Sequence, residues 1–89
     1  MGEKMPSISR FFGIVIYMYP DDHNPPHFHA LCDDRSCIVD IYKAKARGNL
    51  TKKEKKLVEA WAVIHKDELI NNWDLMIKEN RLNDIEPLK

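Results

Sequence analysis

Thr51-Lys52-Lys53-Glu54 divides this chain more sharply than any other four residues. The threonine oxygen can accept the backbone N–H three residues on, and the glutamate placed there can reach back to the threonine N–H. This reciprocal pair is a capping box, a helix start written in sequence. From Thr51 to Asn80 there is neither Pro nor Gly. Leu57, Val58, Trp61, Ile64, His65, Glu68, Leu69, Trp73 and Met76 recur at spacings of three and four, which predicts helix over 51–80. The pattern fits one long helix or two that meet near His65–Asp67. Trp61 and Trp73 are expected in the core, and His65 at its boundary with no role in a site. The tail from 81 to 89 reads as extended.

Before the capping box the pattern changes to that of strands. Arg10 to Tyr19, "RFFGIVIYMY", is rich in β-branched and aromatic residues and reads as one strand with two apolar faces, hence a central one. "PDDHNPP" ends it. "HFHALC" reads as the next strand, "DDRS" as a four-residue turn and "CIVDI" as a third strand, giving a hairpin over 27–41. "YKAKAR" either prolongs that strand or turns into a fourth. The expected class is therefore α+β: a small antiparallel sheet of three or four strands over 10–47, with a long or bent helical segment packed on it. Eighty-nine residues make one domain, 1–89. No apolar stretch approaches a membrane span, and the start lacks a signal-peptide pattern, so cytoplasm is the expected compartment.

The chemistry is concentrated in "DHNPPHFHA", residues 22–30. Strand residues two apart share a face, so His27 and His29 point together and Phe28 points to the core. His23 precedes His27 by four residues, on a loop that Pro25 and Pro26 stiffen; the prolines serve equally well to block edge pairing. Two readings of the cluster stand side by side. His23, His27 and His29, with Asp21 or Asp22, could hold zinc or another divalent metal. Without metal, the same three histidines are candidates for acid–base catalysis, because imidazole titrates close to neutral pH. Plain strand histidines that only shape the fold are the structural alternative. The hairpin could bring Cys32 and Cys37 face to face; they read most simply as small, partly buried residues.

Net charge is zero but unevenly spread. Lys43, Lys45, Arg47, Lys52, Lys53, Lys55 and Lys56 crowd a stretch whose one acid is Glu54, whereas six acids and two bases fill 67–86. Lys43, Lys45, Arg47, Lys52, Lys53 and Lys56 are the candidate contacts to RNA, DNA or an acidic protein partner. Lysines in the first turns of a helix oppose its dipole, which an anionic partner would offset.

"MPSISRFFGIVIYMYPDDHNPPHFHA", then "VDI", "KLVEAWAVIHKDELINNW" and "IEPL", resemble a small bacterial and archaeal family, domain of unknown function 4160, from Met5 to Leu88. Two departures stand out: family members often carry Leu-Pro where this chain has Leu50-Thr51, and they lack cysteines at Cys32 and Cys37. The resemblance implies a small cytoplasmic prokaryotic protein encoded beside another short protein, and, since family members usually begin at a Met-Pro matching Met5-Pro6, it implies that residues 1–4 are an extension or the remnant of a tag. Such pairs have been proposed as toxin–antitoxin-like modules, and some members are labelled transcriptional regulators. No catalytic residue comes with the family. The function expected from the sequence is a toxin-like component acting on RNA through its histidines, with a non-enzymatic regulator or antitoxin and a metal-binding protein as rivals.

Overall fold

The computed structural model describes residues 7–19 and 23–89. It is α+β, with five strands rather than three or four: β1 (Ser7–Phe11), β2 (Ile14–Tyr17), β3 (His27–Cys32), β4 (Arg35–Asp40) and β5 (Lys45–Gly48), followed by α1 (Lys52–Ile64) and α2 (Lys66–Glu79). The strands form one antiparallel meander in chain order, so the histidine-bearing β3 is central. The expected single strand over 10–19 is a hairpin. Phe12 and Gly13 turn it, both at positive φ (49° and 78°), the conformation of a two-residue hairpin turn. Such turns favour Asn-Gly or Asp-Gly; a phenylalanine in that place carries no turn signal.

The β3–β4 connection is also tighter than expected. Asp33-Asp34 alone make the turn, with Asp33 at φ 56°, and Arg35 and Ser36 belong to β4. Cys32 therefore faces Arg35, and Cys37 faces Ala30. The cysteines are not cross-strand partners; both are buried free thiols. "YKAKAR" turns: the Ala44 N–H donates to the Asp40 carbonyl (2.8 Å) and the Lys43 N–H to Asp40 Oδ1 (2.9 Å), after which β5 begins.

The helices cover one face of the sheet. Phe28, Ala30, Val39, Ile14 and Ile16 point to them and meet Val58, Trp61, Ala62, Leu69, Trp73 and Met76 in a single core. The Trp61 ring packs against Phe11 (5.3 Å between centroids) and edge-on to Phe28 (5.5 Å). Burying a side chain such as Phe28 contributes about 1.5–3 kcal/mol. The helical stretch is two helices, broken at His65 (φ −108°, ψ 25°), where the sequence allowed a break. None of the described helices is long and apolar enough to cross a membrane.

Both sheet edges are occupied in part. The Ala46 N–H on the β5 edge donates to Glu59 Oε2 (2.8 Å), and the Ile8 carbonyl on the β1 edge accepts the Ile85 N–H (2.8 Å). The tail is held further by Trp61 Nε1–H to the Glu86 carbonyl (2.9 Å). Asn72, fully buried, exchanges two hydrogen bonds with the backbone of Asn83 (2.9 and 3.0 Å).

The capping box forms as expected and does more than cap. Glu54 Oε1 accepts the Thr51 N–H (2.9 Å), and Glu54 Oε2 accepts from Arg35 Nη2 (2.6 Å) and from the Cys32 thiol (3.4 Å). The start of α1 is thereby tied to β3 and β4. The Thr51 N–H and then the Arg35 guanidinium hold the Glu54 carboxyl down at about 2, from an ordinary 4.5. Burial, followed by the bond to Glu54, raises the Cys32 thiol above its ordinary 9.0, which keeps it a protonated donor. A carboxylate depressed in the folded state stabilises it fully above the unfolded value, and that stabilisation is lost as pH falls through the folded value. The contribution of Glu54 is therefore present above about pH 4.5 and disappears towards pH 2. Urea titrations at stepped pH should show Glu54→Gln losing less stability than wild type between those limits. Parallel losses would mean that the carboxylate is not so held.

Candidate functional site

Alternation along the strands leaves the second face of the sheet to a different set of side chains. His27, His29 and Leu31 stand there on β3, Ser36, Ile38 and Asp40 on β4, and Lys45 and Arg47 on β5. The register lines them into rows. His27 pairs with Asp40, and Asp40 with Lys45; Tyr17 pairs with His29, His29 with Ile38, and Ile38 with Arg47. Neighbouring strands lie about 4.8 Å apart, so each row is within reach of one extended ligand. Pro25, His27, Ile38, Asp40, Lys45 and Arg47 line a shallow depression of about 360 Å³.

His27 is oriented by a contact to the backbone of its own loop. Its Nδ1 lies 2.8 Å from the Pro25 carbonyl oxygen, which can only accept, so Nδ1 carries the proton of that bond. The ring also packs against Trp73 of α2 (5.3 Å) and His29 (5.4 Å), and His29 meets Tyr19 edge-on (4.5 Å). The prolines thus stiffen the approach to His27 and do not guard an edge, since β3 is central. The Pro26 carbonyl accepts the Ile41 N–H (3.1 Å), which continues the β3–β4 pairing to the loop.

The other candidates separate. His23 is exposed on the loop before Pro25. Among the described residues no group of three or more His, Cys, Asp or Glu side chains is placed to hold a metal ion, so His23, His27 and His29 do not form a ligand set there. Asp21 and Asp22 lie outside the described residues. The basic stretch is split in space. Lys45 and Arg47 reach the depression, Lys43 sits in the turn after β4, and Lys52, Lys53 and Lys56 stand on the outer side of α1, across the sheet from His27. Pro25, Ile38 and Asp40 were not anticipated as site residues. With Asp40 against Lys45 and Arg47, these three side chains leave the depression a net single positive charge.

The family profile described as "Domain of unknown function (DUF4160)" matches residues 13–74, well over half of the chain. The chain belongs to the DUF4160 family. No curated protein and no solved structure matches it. The span matched to DUF4160 contains every residue lining the depression and excludes β1 and the tail. DUF4160 membership thus covers the site without stating its chemistry, which has to be argued from the residues themselves.

Proposed function

We propose that this protein binds single-stranded RNA on the sheet face that carries His27, Lys45 and Arg47 and cleaves it there, as the RNA-acting member of a two-protein toxin–antitoxin-like module. The observation that carries this reading is the depression that unites His27, its Nδ1 bonded to the Pro25 carbonyl, with Lys45 and Arg47. Lys45 and Arg47 take the non-bridging phosphate oxygens. His27 Nε2 accepts the proton of the neighbouring 2′-hydroxyl, whose oxygen attacks phosphorus to close a 2′,3′-cyclic phosphate. The 5′-oxygen leaves with a proton from the His29 imidazolium. This chemistry needs no cofactor, and it needs an unpaired strand, because the 2′-oxygen must align with the leaving group.

The test is cleavage of a labelled single-stranded RNA by purified protein, beside the same strand with 2′-deoxy nucleotides, together with growth of a host after induction. Wild type is expected to cut RNA only and to slow growth, and His27→Ala/His29→Ala to do neither at matched soluble expression. Binding without cleavage would move the protein to the regulator or antitoxin class. Folding lost in the histidine variant would make those rings structural.

A further inference from the structure

We infer that α1 is the contact helix of a two-fold symmetric homodimer, a property independent of the RNA reading. The side of α1 turned from the sheet carries Lys53, Lys56, Ala60, Val63 and Ile64. Val63 and Ile64 are 65% and 64% exposed. Lys52, Lys53, Lys56, Leu57 and Ala60 line a groove of about 480 Å³ along the same helix. An amphipathic helix normally turns its apolar residues inward. Here Val58, Trp61 and Ala62 already do so, and a second apolar set is left facing out.

The outer face carries its own complement. It is basic at its start, apolar in the middle, and acidic just past its end, where Asp67 and Glu68 are exposed. The His65 N–H to Trp61 O bond (3.0 Å) closes α1 and the Leu69 N–H to His65 O bond (2.9 Å) opens α2, so Asp67 and Glu68 stand on the first turn of α2, next to the end of α1. In an antiparallel pair of α1 helices centred on Ala60, Leu57 meets Val63 of the second copy and Lys56 lays its methylene stem over Ile64. Lys53 then comes towards Asp67, on the first turn of the second copy's α2, while Glu68 beside it already pairs with its own His65 (2.5 Å). Alanine at the centre allows the close approach that helix packing needs, about 8–10 Å between axes. A two-fold interface requires this self-complementarity of one patch. A foreign acidic helix could satisfy the lysines, but it would leave Asp67 and Glu68 facing its own acids.

Sedimentation equilibrium of the full chain, from micromolar to millimolar, tests the inference. Wild type is expected to dimerise reversibly, since one helix face makes a small interface. Ala60→Glu should leave only monomer. Lys53→Asp and Asp67→Lys should each weaken the dimer about tenfold, and Lys53→Asp/Asp67→Lys should recover most of that affinity, as an opposed pair demands. All of these residues are exposed, and circular dichroism checks that each variant is folded. A wild-type chain that stays monomeric overturns the inference, as does a dimer indifferent to Ala60→Glu or a charge swap that fails to recover.

Discussion

Gly48→Ala is expected to cost about 4 kcal/mol or more, well beyond the loss expected of Gly13→Ala. Gly48 has φ 146°, which L side chains rarely adopt. A Cβ there would lie 2.2 Å from the Ser36 carbonyl oxygen, 2.8 Å from Cys37 Cα and 3.1 Å from Cys37 Sγ. The first two are backbone atoms and cannot give way cheaply. Ser36 O accepts the Asn49 N–H (2.9 Å), Asn49 Oδ1 accepts the Ser36 N–H (2.9 Å), and Cys37 is the ladder partner of Gly48. Relieving the clash would part β5 from β4 at the point where the chain leaves the sheet for α1. At roughly 0.05–0.15 kcal/mol per residue, a chain of this length holds about 4–13 kcal/mol, so that loss takes between about a third and nearly all of it. Gly13→Ala is the control. Its φ is also positive (78°), but the nearest atom to an added Cβ is Cys32 Sγ at 4.0 Å, an ordinary contact. That variant should lose only about 1–2 kcal/mol, the backbone cost alone. Thermal and urea unfolding of the pair would show whether the close approach, and not the dihedral, dominates. Equal losses would refute it.

What the sequence showed clearly was local. The capping box at Thr51, the helix that follows and the alternation of β3 are set by neighbouring residues and are found in the fold, whereas the sequence left one helix or two open near His65 and the fold has two. The turns were harder. Phe12-Gly13 lacks the Asn or Asp that announces a tight hairpin, so two strands read as one. Counting "DDRS" as a four-residue turn moved the β3–β4 register by two residues. The slip set Cys32 against Cys37 and hid Asp40, the true partner of His27. Side-chain faces survived it, because a shift of two preserves alternation, which is why His27 and His29 were still placed together. The tail was invisible for another reason: its holds on Asn72, Trp61 and Ile8 join residues far apart in sequence. The basic stretch was misleading as a unit, because Gly48-Asn49-Leu50 carries the chain from the sheet to the helix layer between Arg47 and Lys52.

That division predicts which cations an RNA strand feels. Lys45→Ala/Arg47→Ala should lower affinity for single-stranded RNA about 10–100-fold and make its salt dependence shallower by about 1.4 in log–log slope, roughly 0.7 for each phosphate no longer neutralised. Lys52→Ala/Lys53→Ala/Lys56→Ala removes more charge from the chain but from the far side of the sheet, and should leave the slope close to wild type. A long-range field would instead respond to all five residues in proportion to charge, since it depends on net charge and not on touching groups. The salt slope therefore separates direct phosphate neutralisation from a diffuse field, which affinity alone does not. His27→Ala belongs to a third class: cleavage should fall about 10²–10⁴-fold, the worth of a positioned acid–base group, while binding and slope change little. If the α1 lysines set the slope and Lys45 and Arg47 do not, the strand lies on the helix layer. His27, across the sheet, would then have no phosphate to act on, and its bond to the Pro25 carbonyl would be left as a structural tie between the loop and β3.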